Sequence, residues 1–145
     1  MSDNKKIQLG LCCLNSTLRK MKPPVFSSRK MIIRTVKEQG IDALKAKIIQ
    51  NLKDTLTLID WNEANGIKVF RLSSELFPHK SNPKVEDYDF DFAKDLLKQI
   101  GDKAKKYNQR LTFHPGQYNV IGTPNKKAYE QTICCLLYTS PSPRD

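Results

Sequence analysis

The chain has 145 residues, with 25 Lys and Arg against 15 Asp and Glu, a net charge of +10. Hydrophobic residues make up 39% and the mean hydropathy is −0.56, a globular rather than a disordered composition. No apolar run approaches the ~18 residues of a membrane span. The basic excess favours a polyanionic partner, nucleic acid first. The bland alternative is solvated helix surface, where Lys98, Lys103, Lys105 and Lys106 lie.

The start, Met-Ser-Asp-Asn-Lys-Lys, runs straight into a strand-like segment with no signal-peptide core, so the expectation is an intracellular protein. Ile7-Gln-Leu-Gly-Leu alternates apolar and polar residues and predicts a first strand from about Lys6 to Cys12. Cys12-Cys13 and Cys134-Cys135 lack the spacing of a zinc knuckle or redox motif, and Cys12 and Cys13 read as reduced, small apolar side chains packed beside that strand. Asn15-Ser16-Thr17 and the basic stretch Leu18 to Pro24 read as an exposed, partly stiff loop.

Ser27 or Ser28 is a candidate cap for a short helix over Lys30 to Glu38. After Gly40, the spacing of Ile41, Leu44, Ile48, Leu52, Leu56 and Ile59 predicts a long helix that stops at Asn65-Gly66. Ile67 to Leu72 reads as the second strand, leading into Ser73-Ser74-Glu75-Leu76-Phe77-Pro78-His79. Phe92, Leu96, Ile100 and Ala104 space another long helix, with Asp89 and Asp91 at its positive end. A third strand at Leu111 and a helix after Pro124 complete the order.

Strands alternating with helices through short links predict a parallel α/β sheet. No G-x-G-x-x-G follows any strand, which disfavours a dinucleotide-binding domain. Asn15, His79 and the segment His114 to Tyr118 all follow the carboxyl ends of strands, the edge at which both open sheets and (β/α)8 barrels bind ligands. Three strand-helix units are less than half of a barrel of ~250 residues.

The most pointed stretch is Arg110-Leu-Thr-Phe-His-Pro-Gly-Gln-Tyr118. A short strand closes on His114, and Pro115-Gly116 is the pair a type II turn demands. Gln117 and Tyr118 thus sit on a stiffened tip just past an imidazole. A hairpin corner with a satisfied histidine would read the same way.

Gln109 to Tyr118 resembles the signature of the UV-damage endonuclease family. Leu9 to Asn15 is similar to that family's opening strand, and Phe70 to Ser74 with Phe77-Pro78-His79 to its second, so the likeness spans nearly all of residues 6 to 134. The resemblance implies the N-terminal part of a truncated (β/α)8 barrel. Its activity would be a metal-dependent DNA-repair endonuclease that nicks immediately 5′ to ultraviolet photoproducts.

Carried over by position, His114 would be a metal ligand, Gln117 and Tyr118 would probe the duplex, and Asn15 would contact DNA near the lesion. His79 would either reach the metal or cap and pack. The implied metal is Mn2+, with Zn2+, Co2+ or Mg2+ as alternatives. The implied partner is double-stranded DNA carrying UV lesions, bound by a monomer. Two departures stand out: Leu11 replaces a frequent aromatic residue, and Asn82 stands where relatives place the second-loop histidine.

Residues 135–145, Cys135-Leu-Leu-Tyr-Thr-Ser-Pro-Ser-Pro-Arg-Asp145, resemble a translated transposon-type sequencing adapter, the alternative being a genuine Ser/Pro-rich tail. The expectation is that natural sequence ends near Cys134 and that the fragment alone is inactive. Two other classes compete. One is a different metal-dependent barrel enzyme, of AP-endonuclease or sugar-isomerase type. The other is a non-enzymatic basic nucleic-acid-binding module. The basic excess and the Gln-Tyr tip speak against the isomerase, since a small sugar needs no protruding wedge.

Overall fold

The computed structural model describes residues 7–80, 82–113, 115 and 119–139. Three parallel strands, β1 (Gly10–Cys12), β2 (Val69–Leu72) and β3 (Arg110–Phe113), form one sheet in the order β1-β2-β3. Gly10 pairs with Val69 and Val69 with Arg110, so the strands start level and end at one carboxyl edge. Their connections carry α1 (Ser16–Arg19), α2 (Ile33–Gln39), α3 (Ile41–Ala64) and α4 (Lys94–Lys106), and α5 (Lys126–Thr139) follows β3. This is the architecture of three β/α units of a (β/α)8 barrel.

The side-chain alternation of the strands sets the layers. Leu11, Phe70 and Leu111 stand in one cross-strand row, and all three join the core shared with the helices. Phe70 is fully buried at its centre. The opposite face carries Cys12, Arg71 and Thr112 in register. Cys12 is therefore exposed, not packed in the apolar layer as its composition suggested; only Cys13 is half-buried. At Gly10 a Cβ would lie 3.3 Å from that of Val69, which explains a residue without one.

The long helix forms where the spacing predicts it. Leu44, Ile48, Leu52, Leu58 and Ile59 are fully buried, while Ile41 and Leu56 are partly buried against the same core. Ile48→Val should cost about 1 kcal/mol in urea unfolding, the usual effect of removing one buried methylene. An unchanged midpoint would show that α3 does not pack as described. The helix stops at Asn65, whose N–H returns to Trp61 and Asn62, and Gly66 supplies φ +68. In α4 the basic last turn, Lys103, Lys105 and Lys106, complements the helix dipole. Lys103 also reaches Asp60 of α3 at 2.6 Å, tying the two helices together.

Several local expectations change. The first strand starts at Gly10, because only there does the ladder with β2 begin; Ile7 and Leu9 stay exposed. The segment after β1 is not a plain loop, since Asn15 Oδ1 accepts from Leu18 N at 2.9 Å and caps α1. The short helix begins at Ile33 with no side-chain cap, so neither Ser27 nor Ser28 caps it. Ser27 is instead fully buried. α5 continues to Thr139, past Cys134.

Candidate functional site at the carboxyl edge

The loops that follow the strands meet at the carboxyl edge, held there by polar side chains of α3. Asn51 is fully buried; its Oδ1 accepts from Arg29 N, and its Nδ2 donates to the carbonyls of Arg29 at 2.9 Å and Glu75 at 3.3 Å. One amide thus joins the loop after β1 to the loop after β2. One turn along, Asp54 Oδ2 accepts from Phe26 N at 3.0 Å and Arg29 Nη1 at 2.6 Å, and Oδ1 accepts from Gln50 at 2.9 Å. Arg29 also donates to the carbonyls of Pro24 and Phe26 and lies over the Phe26 ring, 4.0 Å from its centroid. A buried charge is tolerable when paired and fully hydrogen-bonded, and this one is.

Between these loops and α5 lies a cavity of about 560 Å³, lined by Lys30, Glu75, His79, Asn82, Asn119 and Thr132 among others. His79 sits in the left-handed region at φ +64, a conformation that costs a non-glycine residue energy and recurs at ligand-binding positions. Neighbouring bonds hold it there. Asn82 N donates to His79 O at 2.9 Å, and buried Tyr88 donates its hydroxyl to Pro78 O at 2.9 Å. Burial pushes the Tyr88 phenol well above its ordinary range, so it remains a donor at any ordinary pH.

His79 Nε2 lies 2.5 Å from the carbonyl of Met31. A carbonyl only accepts, so Nε2 carries the proton and Nδ1 keeps the lone pair in the neutral ring. A carbonyl on one ring nitrogen fixes the tautomer of many metal-ligating histidines. Nδ1 is 3.5 Å from Asn82 Nδ2, too long for a strong bond. His79 therefore fits one ligand position, with Nδ1 as the donor. Among the described residues no group of three His, Cys, Asp or Glu side chains could hold a metal ion. Lys30 and Glu75 stand 3.9 Å apart, with the Glu75 side chain half-buried.

Asn15 is 3% exposed. Its Oδ1 is spent on the α1 cap, and buried Nδ2 has no hydrogen-bond partner among the described residues. Beside it, Cys13 takes φ +61, and burial together with Cys12 raises its thiol pKa, keeping it protonated. Leu11 belongs to the core row rather than to the site. His114, Gln117 and Tyr118 lie outside the described residues; β3 ends at Phe113, immediately before His114. Sequence reasoning missed Asn51 and Asp54. Their three-residue spacing within an apolar helix was the only available sign.

The family model described as UV-endonuclease UvdE matches residues 7–140. The chain belongs to this family. It is 48% identical over 129 residues to a protein of Acanthamoeba polyphaga mimivirus provisionally named a UV-damage endonuclease, covering 88% of this chain and 38% of that relative. It is 42% identical over 131 residues to the UV-damage endonuclease of Schizosaccharomyces pombe, covering 90% of this chain and 22% of that one. The crystal structure of SacUVDE superposes with a TM-score of 0.80 at 24% identity, over 91% of this chain and 43% of that chain, and so shares the fold. This UvdE-family chain spans well under half the length of these relatives.

Proposed function

We propose that the full-length protein is a metal-dependent DNA-repair endonuclease that nicks the backbone immediately 5′ to ultraviolet photoproducts. The observation that carries this reading is the family match over residues 7–140, which spans all three strand ends and the His-Pro-Gly-Gln-Tyr motif. His114 and His79 are the residues of this chain that would hold the metal, Mn2+ by the family resemblance. Imidazole nitrogen is a ligand that suits Zn2+, whereas Mn2+ and Mg2+ call for carboxylate, carbonyl or water oxygens beside it. When bound, such an ion supplies an activated water and neutralises charge on a departing oxygen.

The remaining work falls to the protein's own groups. Met31 O orients the His79 ring and fixes its proton on Nε2. Asn51 and Asp54 hold the surrounding loops in one arrangement before DNA arrives. Gln117 and Tyr118 enter the duplex at the lesion, where stacking by Tyr118 offsets part of the unstacking cost, which is already low at a distorted site. Asn15 stands at the neighbouring strand end with Nδ2 as its remaining donor. The +10 charge supports binding to duplex DNA.

Two experiments test this. Full-length protein should relax irradiated supercoiled plasmid and leave unirradiated plasmid closed, and a chelator should stop the reaction; equal treatment of both plasmids would sink the reading. In the Gln117→Ala, Tyr118→Ala double variant, binding to damaged duplex should weaken by about 1–3 kcal/mol per lost stacking contact. Binding to undamaged duplex, which rests on phosphate contacts, should change less. Equal losses on both would remove the pair as a lesion probe.

A further inference from the structure

We propose that the tip Lys20-Met21-Lys22, in the connection between β1 and α2, is a backbone clamp for duplex DNA, its two ammonium groups each meeting a phosphate. The inference rests on the reading of the protein as one that acts on DNA. It deepens that reading by assigning a contact to a part of the chain remote in sequence from the His-Pro-Gly-Gln-Tyr motif.

The first observation is charge. Between Asn4 and Lys37 the sequence contains no Asp or Glu, yet it carries Lys5, Lys6, Arg19, Lys20, Lys22, Arg29, Lys30 and Arg34. On α4 and just before it, two exposed lysines do sit beside carboxylates: Lys94 with Asp91 at 2.6 Å and Lys98 with Asp102 at 2.9 Å. Arg29 and Lys30 find their carboxylates, Asp54 and Glu75, on other elements. Lys20 and Lys22 are exposed and have no ion-pair partner among the described residues. Two adjacent cations without a counterion recruit one from solution, and a phosphate diester serves as a point-charge partner for lysine.

The second observation is that the tip is built rather than loose. Met21 N and Val25 N both donate to Leu18 O, at 3.2 and 3.1 Å, closing the base of the loop over buried Leu18. Arg29 holds Pro24 through its carbonyl, and both Arg19 and Arg29 lie over the Phe26 ring, at 5.3 and 4.0 Å from its centroid. A loop ordered before binding presents its charges without a further ordering cost. Met21, 54% exposed between the lysines, shows that no part of the described chain covers the tip.

The third is position. The connection leaves the sheet at the carboxyl end of β1, the edge at which β3 also ends, immediately before His114. Lys30, at the far end of the same connection, lines the cavity. A duplex lying across this edge meets the tip on its backbone.

The test is binding of a short undamaged duplex to the full-length protein over a salt series, read by fluorescence anisotropy. The Lys20→Ala, Lys22→Ala variant should bind several-fold more weakly, and its slope of log affinity against log salt should fall by about 2, near 0.9 per phosphate contact. The control is Lys105→Ala, Lys106→Ala, which removes the same charge from the end of α4, at the opposite edge of the sheet. It should keep the parent slope. An unchanged slope in the tip variant, or an equal fall in the control, would overturn the proposal. Undamaged duplex requires neither a lesion nor a nick. A protein that shows the slope change but leaves irradiated plasmid closed would therefore refute the proposed activity and not the clamp.

Discussion

Full-length protein carrying His114→Ala should lose more than about a hundred-fold in nicking of irradiated DNA, beyond the 10–100-fold typical for an outer-shell partner of a metal. In sequence His114 directly follows Phe113, the last paired residue of β3, and Phe113 lies at the edge where the other strand-end loops converge. It is one of only two histidines in the chain. The other, His79, offers Nδ1 alone, because Nε2 is spent on Met31 O. Bound metal should fall together with activity, while duplex affinity, set by phosphate contacts, should stay near the parent value. Parent-level metal content and nicking in the variant would remove His114 from the site.

The second large effect should come from Asp54→Ala, at about 3–5 kcal/mol of unfolding free energy, the range for breaking one half of a buried ion pair. The substitution leaves Arg29, whose side chain is 16% exposed, without its carboxylate, and Phe26 N without its acceptor. Arg29 stands two residues before Met31, whose carbonyl orients His79, so the site should loosen with the loop. Urea unfolding measures the loss. Asp54→Asn, which keeps two acceptor directions but not the charge, should cost less. A loss under about 1 kcal/mol for Asp54→Ala would mean that the pair is as dispensable as a surface one.

Much of the fold could be read from apolar spacing. Leu44, Ile48, Leu52 and Ile59 mark the buried face of α3, Ile100 and Ala104 that of α4, and Asn65-Gly66 the stop between α3 and β2. These features follow from local periodicity and backbone sterics, which a single sequence carries. The polar face of α3 could not be read. Asn51, Asp54, Thr55 and Asn62 look like solvent positions yet are buried, and two loops of other elements bond to Asn51 and Asp54. The cap at Asn15 was hidden in a short basic segment read as loop, and Ser27 looked like a cap only because nothing local revealed its burial. His79 was left between ligand and packing roles. Its bond to Met31 O, 48 residues away in sequence, explains that ambiguity. Contacts between distant segments leave no local pattern.

The most direct measurement uses full-length protein with Mn2+ and a duplex carrying one ultraviolet photoproduct at a defined position, end-labelled on the damaged strand. The expected result is a single cut immediately 5′ to the lesion, leaving a 3′-hydroxyl and a 5′-phosphate, and no cut in the same duplex without the lesion. Cleavage at an abasic site but not at the photoproduct, or no cleavage of either strand, would contradict it.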